Sequence, residues 1–412
     1  MRLVDRGNGP YSGPYETLLG SARAMLERTA FATLLDASAE PDPLRHGAIW
    51  GSDDVVWRED AAAGWLLRRG VFDERLRAAA RAAGAVVEVG AVASQDRRWL
   101  GADDRLVVAT GRGVQAGSGH APPAAGPAAV AFTFTGEADA ADRGTAIVEA
   151  VPTGWIWTHA PNRGPASAAV VVDTEHVHAA GRETLLARAF AAARGPAGRL
   201  RHRQLTHTSD ATPRWHQPAV GELRIGDAAA SIDPLASQGV EKAFAAADHA
   251  AAVLHTAAEQ PAWWDRLCAC HARWERGLAA AHATVAAAWY GRESRFADEP
   301  FWRRRRVSEA GPLATAGRFR VADDVQATRV LVRQGPRFGE VDGYRRHASD
   351  DERTHVGYVP VGAVLAAFRT PGTLHQATTL AGQDARLFVL PPRAVHAAML
   401  ELLRAGWLVG VA

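Results

Sequence analysis

The 412-residue chain has a single lysine, Lys242, although lysine and arginine together number 47. Nearly every strong base is therefore a guanidinium, so chemistry that needs a compact ammonium has one place to occur. Cysteine is almost as scarce. Cys268 and Cys270 are the only two, too few for a disulfide framework, and they sit in a helical pattern, which favours a reducing, cytoplasmic setting. Neither sign of charge prevails, since 45 acidic groups against 47 basic ones leave +2. That balance excludes the electrostatic footprint of a nucleic-acid or anionic-membrane binder. No apolar run is long enough to cross a bilayer, no signal-peptide core is evident, and no internal repeat recurs. The expected protein is cytoplasmic, with neither nucleic acid nor membrane as partner.

What is present is an ordinary globular composition, 47% hydrophobic and 22% charged, enough for two or three domains. MRLVDR (1–6) reads as the end of a short strand, GNGPYSGPY as a turn-rich loop, and residues 16–35 as helical. Residues 67–92 read as a helix, a stop at Gly84 and the strand VVEV, and RLVVATG (105–111) as a further strand. AVAFTFTG and AAVVVDT alternate as antiparallel strands do, with GWIWTHAP between them. Residues 182–195 are helical, GELRIGD (221–227) is a strand, and a helix runs from there to about 258. An Ala-, Trp- and Arg-rich helical region continues to about 306, and beyond 310 the texture changes to short strands and a terminal helix, PPRAVHAAMLELLRAGWLVGVA.

The stretch GDAAASIDPLASQGVEKA (226–243) is the most particular. A strand ending in Gly226-Asp227 sets a carboxylate at the carboxyl edge of a sheet, where open α/β folds bind ligands, and the next helix points its first amides there. Asp227 can accept hydrogen bonds from a polyol. Pro234 fixes the approach of the chain, and Gly239, lacking a side chain, lets the helix-start amides beside Val240 approach the carbonyl edge of a planar ring. That set of groups suits a flavin. Val240 and Phe244 equally suit an amphipathic helix that merely packs.

The pattern GD(x)6P(x)4G resembles the FAD-contacting motif of single-component flavoprotein monooxygenases and flavin-dependent halogenases, which share a p-hydroxybenzoate hydroxylase-like fold. IDPLASQGVEKA is most similar to a tryptophan-halogenase-like branch that includes flavoproteins hydroxylating a tryptophan in a partner polypeptide. AIWGSDD (48–54), GWLLRRGVFDERL (64–76), RLVVATGR (105–112), GWIWTHAPNRG (154–164) and RESRFADEPFWRRR (292–305) follow in the family's order, so the resemblance covers about residues 1–306. It implies an α/β (α+β) chain with a Rossmann-like FAD-binding domain built from 1–35, 65–120 and 215–258. An antiparallel-sheet substrate domain at 36–64 and 121–214 would interleave with it, followed by a helical region at 259–310; separately, the C-terminal helix with its GWLVGV strand resembles the end of a winged-helix module, placed at 311–412. The family resemblance further implies that Arg69, in R-x-x-F-D with Phe72 and Asp73, lies near the cofactor, and that Asp5 binds the adenosine ribose.

The family also begins with a strand and G-x-G-x-x-G about 20 residues before the ribose acid. This chain reaches that acid at position 5, so the FAD-binding domain is expected to lack its first strand and glycine loop. Gly7, Gly9 and Gly13 follow the acid and have the wrong spacing to replace the loop. The resemblance implies FAD as cofactor, with NAD(P)H or a partner reductase as electron source, and hydroxylation of an aromatic small molecule or a polypeptide tryptophan through a flavin C4a-hydroperoxide. The related halogenases use a lysine remote from the flavin, whereas Lys242 falls inside the flavin-contacting helix. A halogenase-like enzyme, or a noncatalytic homologue that binds a polypeptide, are the alternatives. His159 and Trp157 in GWIWTHAP are candidate catalytic residues by location, or residues packing on the sheet. WYGRESRFADEPFWRRRR (289–306) reads either as an attractant for an acidic or polypeptide substrate or as a helix end with its aromatics packed inward. CACH (268–271) lacks the spacing and second cluster of a zinc site, so no metal is expected.

Overall fold

Runs of small and β-branched residues form the central sheet because their side chains pack on both of its faces. In the computed structural model, β10 (Thr145–Val151), β11 (Gly154–Ala160) and β12 (Ala166–Asp173) are buried along most of their length and β9 (Ala129–Glu137) along its middle. With β4 (Arg45–Ile49), β5 (Val56–Trp57) and β13 (Arg201–Asp210) they make a seven-stranded sheet in the order β13-β9-β12-β11-β10-β4-β5. Neighbours are antiparallel except β10 and β4. A Cβ on Gly154 would lie 2.0 Å from the Val171 carbonyl oxygen, so only glycine lets β11 and β12 pair there. The structure describes residues 2–5, 16–18, 25–27, 33–34, 39–40, 44–58, 65–89, 101, 104–113, 125–236, 238–306, 315–349, 351–381, 384 and 390–411.

One face of the sheet carries the helices α4 (Thr174–Ala180), α5 (Arg182–Ala192) and α6 (Pro196–Arg199), which close a core around Ile156, Val170, Leu185 and Phe190. The other face packs Trp155 and Val171 against Tyr290 of α8 (Trp264–Arg292) and Phe301 and Trp302 of α9 (Pro300–Arg305). In the tract at 289–306, Phe301 and Trp302 are thus packed inward, whereas Trp289 is 44% exposed under the Arg292 guanidinium.

The Rossmann-type elements are two parallel pairs. β1 (Arg2–Asp5) pairs with β7 (Val86–Val89), connected through α3 (Arg69–Ala82), and β8 (Leu106–Val108) pairs with β15 (Glu222–Arg224). α3 is followed by Gly84 at φ +88°, the left-handed conformation that glycine adopts without strain. Residues 16–35 depart from the expected helix. Glu16–Leu18 is a strand, β2, in a three-stranded sheet with β6 (Trp65–Leu67) and β3 (Ala39–Glu40), and helix is confined to 25–27 (α1) and 33–34 (α2) among the described residues. Pairing with β6 has overridden the local helical pattern. The GNGPYSG segment lies outside the described residues.

The chain forms two units, one of residues 1–250 and 274–307, the other of 251–273 and 308–412. The second has its own core, in which Val361 of α10 (Val361–Ala367), Phe368, Met399 and Leu402 of α12 (Pro392–Arg404) and Trp407 are buried. After α12 the chain enters β23 (Leu408–Val411), antiparallel to β17 (Arg318–Val321). No helix among the described residues is long and apolar enough to cross a membrane.

Candidate functional site

A cavity of about 630 Å³ opens in the first unit between the cavity-side face of the central sheet, the N-terminus of α3 and the chain from β15 into α7 (Gly239–Glu259). Its size falls within the range of small-molecule and cofactor pockets. Trp155 and Trp157 of β11 form one wall, Phe72 and Phe244 another. The two phenylalanines meet edge to face, ring centroids 6.0 Å apart. Beside Phe72, the Arg69 guanidinium pairs with Asp73 one helical turn on, at 3.0 and 3.2 Å.

The turn after β15 owes its shape to Gly226, at φ +60°, which opens a 3-10 turn over Gly226–Ala228. The lone lysine holds this turn from behind. Lys242 Nζ donates to the Gly226 carbonyl at 2.8 Å and pairs with Glu275 Oε2 at 3.2 Å, both side chains fully buried. Burial pushes the Glu275 carboxyl above its ordinary range, and the lysine charge pulls it partly back. Asp227 thereby faces the cavity, where Arg112 Nε donates to its Oδ2 at 2.9 Å. Arg112 also donates to the carbonyls of Asp210 and Ile232, so it ties three segments together at the cavity wall.

Downstream, Pro234 starts a 3-10 turn over Pro234–Ala236, and α7 follows at Gly239. The first-turn amides of a helix have no intrahelical acceptor, and here Gln238, Gly239 and Val240 border the cavity. A Cβ built on Gly239 meets nothing within 4 Å. The space beside the Gly239 α-carbon is open.

Between the turn and the helix lies Asp233, also on the cavity wall. The Leu235 amide donates to its Oδ1 at 2.9 Å, and the Tyr290 hydroxyl lies 3.1 and 3.0 Å from its two oxygens. Trp155 Nε1 in turn donates to the Tyr290 oxygen at 3.1 Å. Burial raises the Asp233 carboxyl above its ordinary range, and the Leu235 amide, Tyr290 and the charges of Arg305 and Arg112 offset only part of that. Burial likewise raises the Tyr290 phenol well above its usual value.

Of the residues singled out in the sequence, Arg69, Gly226, Asp227, Pro234, Gly239, Val240 and Trp157 border this one cavity. His159 does not. It is completely buried beyond the cavity, with its ring stacked on Trp157 at 5.6 Å. Asp5 ends β1 opposite Val89, and its side chain lies outside the described part of the chain. Arg112, Asp233 and Tyr290 were missed, although Arg112 closes RLVVATGR and Asp233 stands inside the motif itself. The donor set fits the flavin half of FAD: aromatic walls for a planar ring, the Asp227 carboxylate for the ribityl hydroxyls, and the start of α7 at Gly239, whose first-turn amides have no intrahelical acceptor, for the ring's carbonyl edge.

The fold is that of flavin-dependent monooxygenases, halogenases and related FAD-dependent proteins, as the ordered motifs implied. Among solved structures, the peptidyl tryptophan dihydroxylase QhpG, essential for tryptophylquinone cofactor biogenesis, is similar over 98% of this chain and 93% of its own, with a TM-score of 0.67 and 20% identity. The flavin-dependent halogenase CmlS is similar over 99% and 91%, with a TM-score of 0.68 and 17% identity. The flavin-dependent brominase Bmp2 matches over 73% and 84%, with a TM-score of 0.54 and 17% identity. No family model and no curated protein sequence matches the chain.

Proposed function

We propose that the protein is an FAD-dependent monooxygenase that hydroxylates an aromatic substrate, a tryptophan side chain within a polypeptide being the favoured target. The observation that carries this reading is the convergence on one cavity of Arg69, from α3, with Asp227, Pro234 and Gly239 of the motif at 226–243, which is remote from it in sequence. Bound there, the flavin would supply the activation of dioxygen. The chain's own groups would do the rest. The α7 amides and Asp227 would hold the ring system and its ribityl chain, Arg69 would set positive charge beside it, and Trp155 and Trp157 would exclude water and orient a flat substrate. Asp5 would bind the adenosine ribose, and reduced nicotinamide or a separate reductase would supply electrons.

The burial of Lys242 against Glu275 supports hydroxylation over halogenation, because it leaves no lysine to line a substrate tunnel. The module at 311–412, with its helix-and-strand end, would serve as the polypeptide-binding element. The test is to incubate the protein with FAD, a reducing system, dioxygen and tryptophan-containing peptides, with and without bromide, and to weigh the products. Peptides gaining oxygen independently of halide support the reading; halide incorporation replaces it with the halogenase alternative, and no product with bound peptide with the noncatalytic one.

A further inference from the structure

The buried carboxylates of the first unit and the half-buried Asp233 fall into two groups. Asp142, Asp173, Glu222, Glu275 and Glu293 each pair with an arginine or with Lys242, and Glu149 is held by the amides of Arg194 and Gly195. Asp233 makes no ion pair with any described residue, and it borders the cavity. Its partners are arranged in one direction. The Trp155 indole can only donate, so the Tyr290 oxygen accepts from it and the one phenolic proton is directed to Asp233. Oδ1 takes the Leu235 amide in addition to its contact with the phenol, which leaves Oδ2 the less engaged oxygen and the one with a lone pair for an incoming proton.

We infer that Asp233 is the proton acceptor of this cavity, with Tyr290 and Trp155 as positioning residues. The inference rests on the hydroxylation reading above. An aromatic carbon that gains a hydroxyl oxygen from dioxygen, whose O–O bond breaks with two electrons from the reduced cofactor and whose second atom leaves as water, must lose its hydrogen as a proton. The C–H bonding pair returns to the ring, and the proton goes to Asp233 Oδ2 and from there to solvent. The charged and titratable groups around Asp233 are Tyr290 from α8, Arg305 from α9 and Arg112 from the segment after β8. Both arginines favour the carboxylate, so the group can release the proton it has taken. Asn at 233 still accepts from the Leu235 amide but cannot take a proton.

Infrared difference titration of the cofactor-free protein, comparing the wild type with Asp233→Asn and Tyr290→Phe, reads the group without any turnover. Of the carboxyls that stay protonated above the ordinary carboxylate range, Glu149 and Glu275 among them, one is expected to be absent in Asp233→Asn and to move to higher pH in Tyr290→Phe, because the phenol stabilises the ionised form. A carboxyl that titrates in the ordinary range, or stays in place in Tyr290→Phe, overturns the assignment even if the protein proves to be a hydroxylase. With an accepted peptide, Asp233→Asn is expected to lose at least about 100-fold in product formation while retaining FAD, and Tyr290→Phe to shift the acid limb of the pH profile upward. Wild-type rates and an unmoved profile in both variants overturn the assignment as well. Absence of wild-type turnover would count against the hydroxylation reading alone, with the titration still deciding the carboxyl.

Discussion

Gly239 does its work by what it lacks. It borders the cavity with open space around its α-carbon, yet it stands at the start of a helix, where glycine is a poor former. Gly239→Leu is therefore expected to leave stability unchanged or raise it by up to about 1 kcal/mol, while FAD affinity falls by at least about tenfold, or 1.4 kcal/mol. Denaturant unfolding and flavin fluorescence measure the two effects separately, and a parallel loss of both would mean that Gly239 is structural. Asp233 gives a second residue-scale test. Its folded-state carboxyl titrates above the ordinary range because it is buried, so the folded protein holds that proton more tightly than the unfolded chain. Stability contributed by this group is present at low pH and is lost as pH rises through the raised value. Wild type should therefore lose stability relative to Asp233→Asn as pH rises from the acid side, in urea unfolding at a series of pH values; a pH-independent difference would contradict the burial effect. Asp227 and Gly239 were legible in the sequence because the motif fixes local backbone shape. The Asp227–Arg112 contact spans 115 residues and the Tyr290–Asp233 contact 57, so neither could be read from spacing.

At the scale of elements, the device is the turn from β15 into α7, clamped by the one lysine. Reading Lys242 only as a residue excluded from a remote tunnel missed its contact with the Gly226 carbonyl, because Glu275 reaches it from α8. Removing one partner of a fully buried pair strands the other's charge. Lys242→Met is expected to cost about 3–5 kcal/mol and to loosen Asp227, whereas Lys242→Met with Glu275→Leu should recover most of the stability. Thermal unfolding of the two variants checks this, and equal losses in both would place the effect in packing instead. The strands β9 and β12 were legible because their alternation is long, and they pair with each other in the sheet, whereas β10 went unread. Residues 16–18 were not, since a three-residue strand has no period of its own and depends on β6.

At the scale of the molecule, all the cavity residues belong to the first unit, while the second has a separate core centred on Trp407. Trp407 is fully buried, with its indole donating to Asp351 at 3.0 Å. Trp407→Ala should destabilise the second unit by roughly 3–5 kcal/mol. The fold class was legible from motif order, which few architectures share, but the sequence could not reveal that β1–β7 and β8–β15 stand as two separate parallel pairs among the described residues. The central claim is that the cavity holds a flavin, and a visible absorption titration of the purified protein with FAD, followed by gel filtration, tests it most directly. The account predicts about one retained flavin per chain in the wild type and loss of that flavin in Gly239→Leu. A protein that emerges colourless at saturating FAD, or one that retains flavin equally in Gly239→Leu, would contradict it.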